Sequence, residues 1–258
     1  NNKDYFPIPI EDGVTFDGGY NRDDSSPITI TYSGSSDWSG LFSWNDTASN
    51  GFTIKNVNFN MNTSNTFVES TSSLLNNNYD SSSQITTNPI TVDNCHLDST
   101  QSTKPTISES HCGGIVGQYF CGSISNCSNS LEMTGWLAGG ICGNNTGNNG
   151  SATITYSYNT GSISGEGAGG ICGPHAGTSG NVTIDYCYNT GYISGKDSAG
   201  ICGRNAGKQG KLTIKYCYNT GSIVNTNVGG ICGQSTGWVG LQQPWHYSVH
   251  TWAHKHNQ

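Results

Sequence analysis

A segment of about thirty residues recurs three times in the second half of the chain, and this repeat restricts the possible folds more than any other feature. The copies begin at Gly140, Gly170 and Gly200 and read GICGNNTGNNGSATITYSYNTG, GICGPHAGTSGNVTIDYCYNTG and GICGRNAGKQGKLTIKYCYNTG. Glycines and cysteines recur at fixed positions, whereas the residues between them vary. Repeats of about 20–50 residues are typical of solenoids, propellers and arrays.

Each repeat contains three short β-prone pieces, of the type GGICG, LTIKYC and GSIS, which are separated by turns rich in glycine and asparagine. None of these pieces shows the apolar period of an α-helix. The sequence therefore predicts an all-β parallel β-helix, or solenoid, with three short strands in each coil. Adjacent coils would stack about 4.8 Å apart, so that equivalent residues form ladders. Ladder residues repeat because each one lies on its own copy, and residues that face water vary.

Three repeated positions define these ladders. Cysteine marks the first position, at Cys142, Cys172, Cys202 and Cys232, and Val116 takes the same position one coil earlier. The second position follows an apolar residue by three and is occupied by Cys127, Ser157, Cys187 and Cys217. The third position is occupied by Asn129, Asn159, Asn189 and Asn219.

The Ile-x-x-Cys spacing predicts an unusual corner in every coil. Strict alternation along a strand would leave only one of the two apolar residues inside. A single residue in the left-handed conformation, just before the cysteine, would turn both inward, and asparagine tolerates this conformation. The corner residues are Asn56, Asn94 and Asn126 and then Tyr156, Tyr186 and Tyr216. The sequence offers no reason for the change from asparagine to tyrosine.

Two phrases carry a resemblance to known families. FTIKNVNF, at 52–59, resembles a coil of the right-handed parallel β-helix family of pectin-lyase type. GGICGRNAG and CYNTGSI resemble the glycine-rich GLUG-type repeats of surface and adhesin-like proteins. The clear repeats cover residues 110–237, about half of the chain. The resemblance implies a right-handed helix, and it implies little about activity because such folds carry many functions.

The chain is expected to have three parts. Residues 1–109 are predicted to form an N-terminal cap and irregular β-helix coils, with a polar loop near 62–88. Residues 110–240 contain the regular 30-residue repeats. Residues 241–258 contain no coil motif, and we expect a C-terminal cap or a docking tail there because the end of a solenoid exposes strand edges.

Charge and hydropathy exclude two classes of partner. The chain has only 10 lysine and arginine residues and a net charge of −7, so the clustered cations that nucleic-acid binding needs are lacking. No apolar run approaches about 18 residues, so we expect no membrane span. N-x-[ST] sequons occur at Asn45, Asn62, Asn126, Asn144, Asn149 and Asn181. They are compatible with a glycoprotein at an extracellular, cell-surface or virion-surface location.

The 10 cysteines allow two interpretations. Stacked positions place Cα atoms within disulfide range, so a full pairing is conceivable. It would join Cys142 with Cys172, Cys202 with Cys232, Cys187 with Cys217, Cys95 with Cys127, and Cys112 with Cys121. The alternative, which we favour for the ladders, is that the cysteines are free thiols that pack as small apolar residues. Serine and valine at equivalent positions support packing.

Two groups of side chains are candidates for binding. Tyr158, Tyr188 and Tyr218 should point outward as an exposed aromatic ladder, which could stack on sugars or form a protein interface. Simple β-propensity explains the same tyrosines. His246, His250 and His254 are spaced by four residues and would share one face of a helix, a geometry that suits a transition metal. No carboxylate lies near them in the tail, and the neighbouring tryptophans favour packing.

The sequence contains no recognisable catalytic constellation, and we expect no cofactor. Acidic residues are scattered, and the outward position occupied by Thr155, Asp185 and Lys215 forms no acidic pair of the kind that glycoside hydrolysis requires. The first hypothesis is therefore a non-catalytic structural solenoid of a fibre or surface assembly, which associates with itself or with other surface proteins. A glycan-binding adhesin module is the alternative, and a polysaccharide lyase or hydrolase ranks third.

Overall fold

The computed structural model describes residues 8–11, 13–19, 27–33, 40–44, 51–62, 74–77, 90–237 and 239–242. These residues contain no helix, and their parallel strands stack into a β-solenoid of about 6 turns. The predicted all-β class and the stacking of parallel strands are confirmed.

Eight strands precede the regular repeats: β1 (Ile8–Pro9), β2 (Thr15–Asp17), β3 (Ile28–Tyr32), β4 (Phe42–Trp44), β5 (Thr53–Met61), β6 (Leu75–Asn77), β7 (Ile90–Asp98) and β8 (Thr106–Ile107). Ten more follow: β9 (Gly122–Ser125), β10 (Ser128–Asn129), β11 (Glu132–Met133), β12 (Ser151–Thr155), β13 (Tyr158–Asn159), β14 (Asn181–Asp185), β15 (Tyr188–Asn189), β16 (Lys211–Lys215), β17 (Tyr218–Asn219) and β18 (Val239–Gln242). Strands β1, β4 and β6 form one sheet, β8 pairs with β11, and the remaining thirteen strands form the large sheet.

Strand register follows the sequence period in the regular coils. β12 pairs with β14 and β14 with β16, so that Ile154, Ile184 and Ile214 lie opposite one another. Isolated bridges join Cys142, Cys172, Cys202 and Cys232 in the same way. Val116 pairs with Cys142, which lies 26 residues later, so this coil is shorter than the regular 30-residue coils.

Only the middle one of the three β-prone pieces forms an extended strand in the regular coils, as in β12, β14 and β16. The glycine-rich piece and the GSIS piece are reduced to isolated bridges, at the cysteine ladder and at the ladder of Ile163, Ile193 and Ile223. The glycine-rich piece brings neighbouring coils very close together. A Cβ atom added at Gly140 would lie 2.1 Å from the carbonyl oxygen of Gly170. Glycine is therefore required there for steric reasons.

The predicted left-handed corner is present in all six coils in which it was expected. The φ angles are 59°, 49° and 54° at Asn56, Asn94 and Asn126, and 49°, 51° and 49° at Tyr156, Tyr186 and Tyr216. After each corner the next residue points inward, so that both members of the Ile-x-x-Cys spacing are buried.

The core is a continuous column of apolar residues and cysteines that extends through the stacked coils. In the first part of the chain, β5 pairs with β2 and β3 on one side and with β7 on the other. Strand β6 lies inside the range predicted as a polar loop, 62–88, and pairs with β4. Leu74 and Leu75 are buried there, which explains why this polar segment contains a strand.

Candidate functional site

The corner tyrosines form a stacked aromatic ladder on the outside of the solenoid. The ring centroids of Tyr156 and Tyr186 lie 5.1 Å apart, and those of Tyr186 and Tyr216 lie 4.8 Å apart. A left-handed residue other than glycine costs about 1–2 kcal/mol, and a stacked aromatic pair returns about 0.5–1.5 kcal/mol. Stacking across coils therefore accounts for tyrosine at a corner where the earlier coils use asparagine.

A second ladder lies two residues further along each coil, at the predicted Tyr158, Tyr188 and Tyr218. Their ring centroids are separated by 4.9 and 5.1 Å, with interplanar angles of 1° and 4°. Their backbones pair in register between β13, β15 and β17. The structure thus places these residues in an outward-facing stack, and their role in binding stays a prediction.

The two ladders flank one line along the solenoid surface, because the residue between them in each coil is buried. We call this surface the tyrosine face, and it consists of Tyr156, Tyr158, Tyr186, Tyr188, Tyr216 and Tyr218. Its corner tyrosines are 39–58% exposed. The face therefore presents two parallel aromatic rows that repeat with the spacing of the coils.

Two phenols of the tyrosine face, those of Tyr186 and Tyr188, have raised pKa values. Partial burial, followed by the neighbouring Tyr216 and Asp185, raises the pKa of Tyr186. Burial, followed by Tyr158 and Tyr218, raises the pKa of Tyr188. Because the rings are nearly parallel, each ring covers much of the face of its neighbour. The ladders consequently expose ring edges more than ring faces, a geometry that suits a protein interface better than sugar stacking.

The same positions are polar in the earlier coils. Asn94 donates from Nδ2 to Oδ1 of Asn56 at 2.8 Å, and Asn56 donates to Oδ1 of Asp17 at 2.7 Å. His96 lies between Oγ of Ser128 and Oδ1 of Asn94, at 2.8 and 3.0 Å, and burial lowers the pKa of this imidazole. The outer surface of the corner thus changes from hydrogen-bonded polar side chains to stacked tyrosines along the solenoid axis.

An asparagine ladder runs through the interior beside the tyrosine face. Asn129 donates from Nδ2 to Oδ1 of Asn159, Asn159 to Asn189, and Asn189 to Asn219, at 2.8, 2.7 and 2.7 Å. The first three amides are fully buried. Each Nδ2 also donates to the carbonyl oxygen two residues ahead. The ladder fixes the height of each coil against the next and so holds the tyrosines in register.

All ten cysteines are free thiols in the structure, and no pair lies at disulfide-bonding distance. This holds for each conceivable pairing: Cys142 with Cys172, Cys202 with Cys232, Cys187 with Cys217, Cys95 with Cys127, and Cys112 with Cys121. In the second ladder and at Cys112, the thiols donate to backbone carbonyl oxygens. Thiols of the second ladder turn back to the carbonyl oxygen two residues earlier, as Cys217 does toward Lys215 at 3.1 Å. Cys112 likewise donates to the carbonyl of Glu109 at 2.9 Å.

A second cluster lies at another corner, and sequence reasoning missed it. The Trp136 ring is 46% exposed, and Cζ of Arg204 lies 5.7 Å from its centre. Nη1 of Arg204 is 3.5 Å from Oε1 of Glu166, and the His111 ring meets Trp136 edge-on at 5.4 Å. The available signal was that Trp136, Glu166 and Lys196 occupy one turn position at 30-residue spacing. Arg204 joins them only through the fold.

The sequons differ in accessibility. Asn149 and Asn181 are exposed, whereas Asn144 is buried. The side-chain amides of Asn62 and Asn126 donate to a neighbouring hydroxyl and a neighbouring carboxylate. Asn149 and Asn181 are therefore the sequons best placed to accept a glycan on the folded chain.

Asn45, and the tail histidines His246, His250 and His254, lie outside the described residues. Within the described part of the chain, no group of three or more histidine, cysteine or acidic side chains is arranged to hold a metal ion. The same residues include no helix that is long and apolar enough to cross a membrane.

No protein-family model matches the chain, and no match is found among curated proteins or among solved structures.

Proposed function

We propose that this protein is a non-catalytic structural β-solenoid that assembles laterally with a second copy of itself through the tyrosine face. The assembly would be a fibre or surface layer in an extracellular, cell-surface or virion-surface setting. The resemblance of the sequence to pectin-lyase-type coils and to GLUG-type repeats of surface proteins supports this setting.

The observation that carries the proposal is the pair of exposed, regularly stacked tyrosine ladders. Exposed aromatic rows rarely remain uncovered in water, and they mark interaction surfaces. Tyrosine is also enriched at protein interfaces, because its ring is apolar and its hydroxyl can still bond to water or to a partner.

A second copy is the partner that fits this surface best. The rings repeat every 4.8–5.1 Å, which is the spacing of stacked β-strands. Another solenoid with the same period would meet every ring with an equivalent ring along the whole contact. A surface without this period would match only some of the rings.

The chain itself supplies the variant that tests the proposal. Asparagine occupies the same left-handed corner in the earlier coils, so Tyr156→Asn, Tyr186→Asn and Tyr216→Asn should keep the backbone conformation. Sedimentation velocity over a range of concentrations, with electron microscopy, would measure assembly. We expect the unchanged protein to form multimers with increasing concentration and the triple variant to remain monomeric.

Tyr192→Ser provides the matched control. Tyr192 is 45% exposed and lies on neither ladder, and serine occupies its position in the neighbouring coils at Ser162 and Ser222. This variant should assemble like the unchanged protein. A monomeric unchanged protein at all concentrations, or a triple variant that assembles normally, would contradict the proposal.

The Trp136 corner favours a second candidate function, glycan binding. An exposed indole beside a guanidinium and a carboxylate offers both a stacking surface and hydrogen-bonding groups for sugar hydroxyls. Screening the protein and its Trp136→Ala variant against immobilised glycans tests this function. Retention that is lost in the variant supports glycan binding at this corner. Absence of retention, or equal retention by both proteins, excludes it.

A further inference from the structure

The tyrosine face also holds phenols in an arrangement that favours a covalent reaction between them. Four ring pairs, each joining successive coils, have centroids 4.8–5.1 Å apart, and their planes are parallel to within 21°. The pairs are Tyr156 with Tyr186, Tyr186 with Tyr216, Tyr158 with Tyr188, and Tyr188 with Tyr218. Ladder register fixes each pair before any reaction begins, so the entropy of bringing two phenols together is already lost on folding.

Four of the six rings are exposed to solvent, and Tyr158 and Tyr188 are half-buried. The exposed fraction is 58% for Tyr156, 46% for Tyr186 and 39% for both Tyr216 and Tyr218. The buried thiols behind the face are shielded from solvent. An oxidant that arrives at this surface therefore meets phenols first.

We propose that the tyrosine face is a site of oxidative phenol coupling, at which tyrosines of successive coils are joined as dityrosine. The oxidant class is a peroxidase that uses hydrogen peroxide. Each of the two phenols loses one electron and its O–H proton, which gives two phenoxyl radicals. A carbon–carbon bond then forms between one ortho carbon of each ring, that is, a carbon adjacent to the one that bears the oxygen. The hydrogen on each of these ortho carbons moves to the phenolic oxygen of its own ring. In total two hydrogen atoms leave, and one peroxide is reduced to two waters.

The consequence is a covalent link between coils that are otherwise joined by hydrogen bonds and packing. Each link would close a loop of thirty residues, which limits the freedom of the unfolded chain as a disulfide does. The interior contains no disulfide to serve this purpose. Coupling within one chain requires no second copy, so this inference is independent of the proposed assembly.

The experiment treats the full chain with a haem peroxidase and hydrogen peroxide, at a dilution where sedimentation shows monomers. Dityrosine fluorescence measures the yield, and proteolysis with mass spectrometry locates the links. We expect linked peptides that lack two hydrogens and join tyrosines thirty residues apart within one chain. The thermal unfolding midpoint of the coupled protein should rise.

The double variant Tyr186→Phe, Tyr188→Phe is the decisive comparison. Phenylalanine keeps both stacks but cannot form a phenoxyl radical, and each ladder then has no adjacent pair of tyrosines. The intrachain yield should fall at least tenfold, whereas Tyr192→Phe should leave it unchanged. An undiminished yield in the double variant would overturn the proposal, as would links that join other tyrosines or only separate chains. Links between separate chains alone would still agree with lateral assembly.

Discussion

Removing one amide from the middle of the buried asparagine ladder should destabilise the solenoid severely. Asn159 is fully buried, accepts a hydrogen bond from Asn129 at 2.8 Å, and donates to Asn189 and to the carbonyl of Gly161 at 2.7 Å each. Asn159→Ala removes these three bonds. Nδ2 of Asn129 then loses this acceptor, and Oδ1 of Asn189 and the carbonyl oxygen of Gly161 lose their donor. A hydrogen bond contributes about 0.5–1.5 kcal/mol net, and an unsatisfied buried group costs more.

We therefore expect Asn159→Ala to lower the free energy of unfolding by about 3–5 kcal/mol. Urea unfolding followed by circular dichroism measures the change, and the midpoint should fall with a similar slope. Asn219→Ala is the matched control. Asn219 is half-buried at the last described position of the ladder, and its side chain makes two hydrogen bonds, one with Asn189 and one with Gly221. Its loss should be about 1–2 kcal/mol. Equal losses at both positions, or a loss below about 1 kcal/mol at Asn159, would refute the reasoning.

Three other predictions test separate parts of the structure. Ile193→Asp should cost more than about 4 kcal/mol because it buries an unpaired charge, while Ile223→Asp, in the same ladder but at a residue 39% exposed, should cost far less in thermal melting. A maleimide should label Cys121 and Cys232 first, because these two are half-buried. Their labelling should still be slow, since burial raises the pKa of the first thiol to about 11 and of the second to about 12. Unfolding should then release the remaining eight of the ten thiols, and a smaller total would reveal a disulfide. Hydrogen bonds, first from the Asn56 amide, lower the pKa of Asp17 below 3.8. Its contribution to stability is thus complete above the unfolded pKa and is lost as the pH falls through the folded value, and Asp17→Asn should remove this part of the acid sensitivity in a pH series of unfolding curves.

The repeat period allowed the register of the regular coils to be predicted from the sequence. Cys142 pairs with Cys172 because the same motif recurs thirty residues later, and parallel stacking leaves no other position for it. The left-handed corner was also predictable, because the Ile-x-x-Cys spacing permits two buried side chains only if one residue between them turns back.

Other features depend on contacts that a single repeat does not contain. Tyrosine at the corners is understandable only when Tyr156, Tyr186 and Tyr216 are seen stacked across three coils. The sequence did not predict strand β6, because only Leu74 and Leu75 indicate a buried strand in this polar segment. The cluster at Trp136 brings in Arg204 from 68 residues away, at a position that varies between the repeats.

In the regular repeats each coil lies directly on the next, with residues thirty positions apart in contact. Methyl NOE spectra of protein labelled at the isoleucine δ1 methyl groups test it most directly. We expect cross-peaks that link Ile154 to Ile184 and Ile184 to Ile214, which face one another across paired strands. Cross-peaks from Ile163 to Ile193 should also appear. Cross-peaks that connect these isoleucines in any other order, with none between residues thirty apart, would contradict the stacked solenoid.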